Sequence, residues 1–536
     1  MAQRSLGLRV ARATVVAVPV VFLGALFVWP VARTILLGLR PDGHWDLGAA
    51  WEVLRAPSTR RVLWFTVWQA VLSTIATLAI GLPGAYALSR VRFKGRDLTR
   101  ALVTIPFTLP TVVVASAFRA LGVEGSVLAI IAAHVFFNTA VVVRTVGGLW
   151  SHLDPALEDA ARSLGASRWR AMREVTWPLL RPAVVAAASL TFLFCFTSFG
   201  VIIILGGVEY ATIEVAIKEA VLDRLDLATA SVLAMLQLAV VGTMVLVGAR
   251  LGDARSTPQR LVAGGDAARS PRTTGERLSL AAILATLAVV LGTPLLVLVL
   301  RSFDTTSGWG LDWYRALRDV PARSALFVSP TEAIATSLRY ALAATVIAVV
   351  VGGCAAVAVA GRFGRRALDV LVMLPLGTSA VTIAVGFLVG LDRPPLDLRS
   401  SWWLVPLAQA MLAIPFVVRI VVPVLRAIDP RLREAAASLG AGPLRARWEV
   451  DVPIVRRALL VAAGFAFAIS LGEFGATLLL ARVDSPTVPV AIFRLLSRPG
   501  AAGFGAAMAL STILMVLTGG VLFAIERIRL PGQRGF

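Results

Sequence analysis

The sequence predicts an all-α polytopic membrane protein made of two parallel six-helix repeats, and three observations carry that prediction. Apolar runs of about 20 residues, the length a helix needs to cross a bilayer, recur along the whole chain. Charged residues make up only 15% of the 536, and mean hydropathy is +0.82, which excludes an ordinary soluble chain and a disordered one. A segment of the first half also recurs in the second without a gap. A spanning barrel is excluded because its strands would alternate apolar and polar residues, and these runs do not.

Twelve helical spans follow in order. The first six are expected at about 14–39, 62–89, 98–120, 126–150, 178–205 and 227–250. The second six are expected at about 278–301, 332–360, 367–390, 400–426, 453–480 and 501–526. The first span follows Arg4, Arg9 and Arg12 and resembles a signal peptide, but its apolar stretch suits an uncleaved anchor. Pro83, Pro106, Pro110, Pro375 and Pro415 lie inside spans and are expected to kink them. Residues 251–277 are polar and rich in Gly, Arg, Ser and Thr, which reads as a flexible linker between a first half, 1–250, and a second, 278–536. Arginines and lysines favour one set of loops by about two to one, which puts both termini in the cytoplasm of a plasma (inner) membrane protein.

The net charge of +21 would suggest nucleic acid in a soluble domain. Here the basic residues sit in short loops between spans, so the expected partner is the lipid bilayer and not nucleic acid. Cys195 and Cys354 lie inside spans as small buried residues, and His44, His134 and His152 are far apart. No catalytic, cofactor or metal site is therefore expected. Lys94 precedes Gly95 and Lys218 precedes Glu219, so neither lysine belongs to the Gly-Lys-Ser/Thr of a phosphate loop. Any ATP that drives this chain is bound and hydrolysed by another one.

The repeated segment is DPALEDAARSLGASRWRAMREVTWP at 154–178 and DPRLREAAASLGAGPLRARWEVDVP at 429–453, in register 275 residues apart. The same register matches Arg144 with Arg419 and Phe199-Gly200 with Phe474-Gly475. Six is an even number of spans, so both copies fall on the same face of the membrane, here the cytoplasmic one. Asp154 and Asp429 suit an N-cap, with a proline next and acids early in the helix. Small alanines then give a smooth face, and Gly165 and Gly440 suit a left-handed C-cap. Two similar exposed helices imply a partner with two equivalent clefts, such as a dimer.

At these residues the chain resembles the permeases of binding-protein-dependent ABC importers. Their pattern is Glu-Ala-Ala, three residues, Gly, then Ile-x-Leu-Pro nine residues on. The second copy reads Glu434-Ala435-Ala436, Gly440 and Val450-Asp451-Val452-Pro453; the first reads Asp159-Ala160-Ala161, Gly165 and Val175-Thr176-Trp177-Pro178. Aspartate replaces glutamate in copy one, and the Ile and Leu positions are substituted in both. The resemblance implies the ABC importer permease fold, with 159–165 and 434–440 as coupling helices in the grooves of a separate ATP-binding subunit dimer. It implies alternating access driven by that ATPase, with an extracytoplasmic binding protein delivering solute to outer loops at about 206–226 and 481–500. A fused pair of this length resembles the thiamine and ferric-iron branch. Gly206-Gly207 and Ala211-Thr212-Ile213-Glu214 resemble thiamine permeases, whereas 470–496 looks common to both, so thiamine is favoured over ferric iron.

Glu473 is the one acid placed inside a span, and an intramembrane carboxylate faces a cavity, a pathway or a local partner. Its counterpart is Ser198. These two and the paired Arg144 and Arg419 are the candidates for pathway or gate, with snorkelling or backbone capping the alternative for the arginines. A secondary transporter can also have six plus six spans. It has no reason to repeat a docking helix, and it would place more ionisable groups in the membrane.

Overall fold

In the computed structural model, residues 2–41, 43–207, 209–253, 268–318, 328–361, 365–394 and 397–528 are described. The principal helices of the first half are α1 Ala13–Leu39, α2 Pro57–Arg90, α3 Arg96–Thr108, α4 Thr111–Ala120, α5 Val127–His152, α6 Ala156–Ser163, α7 Arg168–Phe196, α8 Gly200–Leu205, α9 Ile213–Lys218 and α10 Leu227–Asp253. Those of the second are α11 Thr274–Phe303, α12 Pro330–Ala360, α13 Arg366–Gly377, α14 Ala380–Gly390, α15 Leu404–Ala427, α16 Pro430–Ser438, α17 Arg447–Gly472, α18 Gly475–Leu480, α19 Val488–Leu496 and α20 Ala501–Ile528. Among the described residues ten continuous helices are long and apolar enough to span, and two bent pairs bring the number to twelve when each pair counts as one span. Local chemistry marks their starts: Ser126 accepts from the Ala129 N–H, Ser329 from Glu332, and Thr273 and Glu276 form a capping box.

Two expectations need correction. The third span of each half is not one helix: α3 and α4 meet at 101°, and α13 and α14 at 103°. In the first half, Leu109 is held extended ahead of Pro110, which has no N–H to continue the ladder. In the second, Pro375 lies in a 3₁₀ turn and Ser379 restarts the chain by accepting from the Thr382 N–H. The fifth spans, expected to run to 205 and 480, stop at Phe196 and Gly472, and separate short helices α8 and α18 follow. These fifth-span helices start ten and six residues earlier than expected, at Arg168 and Arg447, through one π-helical turn at Met172–Thr176 and another at Arg447–Asp451. Each turn lies just ahead of a proline, Pro178 or Pro453, where the ordinary hydrogen-bond ladder is interrupted.

Within each half three helices form the core: α2, α5 and α7 in the first, α12, α15 and α17 in the second. Glycine sets the closest approach. A β-carbon on Gly81 would fall 2.7 Å from Val142, and one on Gly352 would fall 2.9 Å from Val417. These equivalent contacts put the second spans 271 residues apart, against 275 for the later helices. The first spans cross over. α1 packs on α12 and α14 of the other half, and α11 packs on α2 and α4. Trp29 donates its indole N–H to the Gly390 carbonyl at 3.0 Å, and Pro30 leaves no room for a side chain at Gly390.

Most of the expected linker, residues 254–267, lies outside the described residues. Its end is pinned: Arg269 donates its N–H to the Arg90 carbonyl, and its own carbonyl accepts from Arg92. Arg168 at the start of α7 pairs with Glu276 of α11 at 2.7 Å, which ties the two halves together on that face.

Candidate functional site: paired exposed helices and the seam between the halves

The repeated segments fold into α6 and α16, two short helices with no buried residue. Asp154 accepts from the Ala156 N–H at 2.9 Å, and Asp429 from the Arg431 N–H at 2.9 Å. At the other end Gly165 has φ +91° and Gly440 φ +86°, the left-handed region where a β-carbon is disfavoured. The Ala166 N–H bonds to the Ala161 carbonyl and the Ala441 N–H to the Ala436 carbonyl, which closes the same C-cap twice. Asp159, Ala160, Glu434 and Ala435 are exposed, and Ala161 and Ala436 are half-buried. Beside them Leu164 and Leu439 are each 90% exposed, an unusual state for leucine and the same in both copies. Sequence reasoning did not single out these two leucines, although their place in the repeat was visible.

A brace holds each helix to the foot of the next span. In the first half Thr176 donates to Glu158, and Arg90 lies 3.5 Å from the same carboxylate. In the second, the matching positions are Arg433 and Asp451, paired at 2.7 Å. Arg170–Glu174 at 3.1 Å recurs as Arg445–Glu449 at 2.7 Å. The Glu449 carboxylate holds the Arg445 guanidinium above its ordinary range.

Where the fifth spans end, the two halves meet. Phe199 and Phe474, equivalent in the repeat, stack on each other with centroids 5.4 Å apart and planes 28° from parallel. Beside them lie Ser198 and Glu473, both buried. The Glu473 carboxylate accepts from the Ala476 N–H at 2.7 Å, the Thr477 N–H at 2.9 Å and the Thr477 hydroxyl. It thus caps α18, and its hydrogen-bonding capacity is taken up by its own helix. Arg144 is half-buried on α5, and Arg419 is exposed on α15 with Nε 3.3 Å from the Met373 sulfur.

A second buried carboxylate was missed. Glu214, counted with an outer loop, is 1% exposed on α9. The charged neighbours Glu209, Lys218 and Glu219 made this stretch read as loop. The apolar spacing of Ile213, Ile217 and Val221 was the signal for a buried face. α9 is fixed at its start by the Ile213 N–H bonding to the Thr66 hydroxyl at 3.1 Å. α19 is fixed in the same way by the Val488 N–H and the Ser337 hydroxyl at 2.7 Å. Cys195 and Cys354 are free thiols, and no group of metal-ligating side chains occurs among the described residues.

Residues 78–255 and 344–527 each match the family described as the binding-protein-dependent transport system inner membrane component. The chain is 29% identical over 525 residues to the thiamine transport system permease protein ThiP of Salmonella typhimurium, with 92% of each chain covered. It is 29% identical over 515 residues to the ThiP of Escherichia coli, covering 91% of this chain and 90% of that one. A probable ABC transporter permease protein of Sinorhizobium fredii, y4fN, is 27% identical over 489 residues, covering 82% of this chain and 83% of that one. With its twelve apolar segments, mirrored helices and two family matches, the chain belongs to the binding-protein-dependent transport system inner membrane components, as a multi-pass ABC importer permease with two units fused in one polypeptide.

Proposed function

We propose that this permease imports thiamine by alternating access. An ATP-binding subunit dimer docks on α6 and α16, and an extracytoplasmic binding protein delivers solute to the outer segments 206–226 and 481–500. Both termini lie in the cytoplasm. The observation that carries the ATPase reading is the pair of similarly capped, wholly unburied helices, each followed by a leucine that is 90% exposed. A symmetric dimer offers two equal grooves, and each leucine is an apolar knob for one of them. The roles carried by 159–165 and 434–440 follow from that docking. The braces to Thr176 and Asp451 transmit movement of each helix to the fifth span. The Phe199–Phe474 stack, at the end of both fifth spans, is the seal that this movement opens. Glu473 supports the seal as the cap of α18, with Ser198 opposite, and Arg144 and Arg419 lie on the fourth spans beyond it.

Thiamine is favoured by the named relatives and by Gly206-Gly207 and 211–214. The test is uptake of labelled thiamine at low concentration by cells with and without the gene. Loss of uptake on deletion, restored by the gene, is the expected result. Unchanged uptake overturns the thiamine reading and directs the same strains to labelled ferric iron.

A further inference from the structure

Glu214 differs from Glu473 in what satisfies it. Its Oε1 accepts from the Gln237 side-chain amide of α10, while Oε2 makes no hydrogen bond of its own. Thr212, two residues earlier, is fully buried and its hydroxyl also lacks a partner. No ion pair reaches Glu214 among the described residues. A buried carboxylate with one open oxygen and no counter-charge is unfavourable, and either a proton or a bound cation relieves it.

The surroundings point to the cation. The remaining oxygen of Gln237 faces the Thr382 hydroxyl of α14 at 3.4 Å, and Thr382 bonds to Ser379 at 3.0 Å. The Ser379 hydroxyl also lies close enough to interact with the Glu214 carboxyl. α9 and α10 belong to the first half and α14 to the second, so the group spans the seam between them. The link across the seam is long and weak, and parting the halves breaks it. The positions 275 residues on from Glu214 and Gln237, Pro489 and Thr512, carry no charge.

We propose that Glu214, Gln237, Ser379 and Thr382 form a solute-recognition site at the seam, occluded in this state, for an organic cation bearing hydrogen-bond donors. The carboxylate supplies the counter-charge, and the amide and hydroxyls orient the solute. The proposal rests on the import reading above and adds the residues that recognise the cargo.

The experiment uses the full importer, assembled with its ATPase and binding protein, in proteoliposomes. Thr382→Cys is made in a background with Cys195 and Cys354 replaced by alanine that still transports. In the vanadate-trapped state a cationic thiosulfonate labels position 382 about tenfold faster than an anionic one, each rate corrected for reaction with a free thiol. Adding Glu214→Gln brings that ratio to near one. Separately, Glu214→Gln raises the KM for labelled thiamine about tenfold with ATPase stimulation retained, and Glu214→Asp stays within about threefold of wild type. An unlabelled position 382, a charge preference that survives Glu214→Gln, or an unchanged KM overturns the site. If the wild-type importer fails to carry thiamine while the charge preference at 382 stands, the substrate reading falls and the cation site does not.

Discussion

Glu158 and Arg433 occupy the same place in the repeat, yet the first holds Thr176 and Arg90 while the second holds Asp451. The helices they brace are alike in caps, glycine and exposed leucine. Deeper in the halves the likeness ends. Gln69, Ser73, His134, Asn138 and Thr191 are buried polar residues of the first half, with Ser73 bonded to His134 at 3.0 Å. Tyr340, Ala344, Gln409, Ala413 and Ala466 stand at the matching positions of the second. Glu214 stands opposite Pro489. The halves agree where a symmetric dimer would touch them and diverge where a single small solute, which has no two-fold axis, would pass. Partner symmetry constrains the docking surface twice over; the interior is free to place different polar groups in the two halves.

That comparison can be broken at several points. The largest effect is expected from Gly165→Val combined with Gly440→Val. Nothing lies within 4 Å of either glycine's β position, so the change acts through the backbone alone. Left-handed φ costs an ordinary residue about 1–2 kcal/mol and a β-branched one more, at both caps together. Uptake falls by more than about tenfold, and the two single variants lose equal shares. A silent first-half variant would deny that half a docking role. Next, Leu164→Asp and Leu439→Asp each weaken retention of the ATPase about tenfold, measured by co-purification. Unequal losses would show that the grooves differ.

Phe199→Ala with Phe474→Ala removes both rings of the stack and raises ATP-independent solute leak about severalfold in proteoliposomes. A tight double variant would move the seal elsewhere. Smaller still is Asp451→Asn, which lowers stability in a melting experiment by about 1 kcal/mol because Arg433 loses its ionic partner. Thr176→Val changes it less, since Arg90 still reaches Glu158. The smallest effect is expected at Asp484 in the outer segment. The Ser485 hydroxyl and Arg482 hold its carboxyl below the usual carboxylate range. Such a group contributes above its unfolded pKa and loses that contribution only as pH falls through the depressed one. Uptake therefore shows no step from this group between pH 5 and 8, and Asp484→Asn stays within about twofold of wild type.

Much of this was legible because it is local. Asp154, Gly165 and their copies declare a capped helix through residues a few positions apart, and the 275-residue register follows by comparison. The bends at Pro110 and Ser379 were not placed, because a proline in an apolar run signals a kink without its angle. The crossing of α1 and α11 onto the opposite halves was invisible, since long-range packing of all-round apolar helices leaves no periodic mark. Glu214 was hidden by its charged neighbours. Glu473 was found by being the lone acid in a span, but its partners, the Ala476 and Thr477 N–H groups, exist only once the fifth span breaks after Gly472.

The crossed first spans have a consequence for how the chain is made. Pro30 leaves the ribosome early, but the glycines it rests on, Gly386 and Gly390, are synthesised more than 350 residues later. Once the first half is made, α1 can pack on α10, where Gly38 lies against Val232 and Met235, but its second-half neighbours are still absent. The first half therefore cannot finish folding on its own. Joining both halves in one polypeptide ensures that each newborn first half is followed by the partner it waits for.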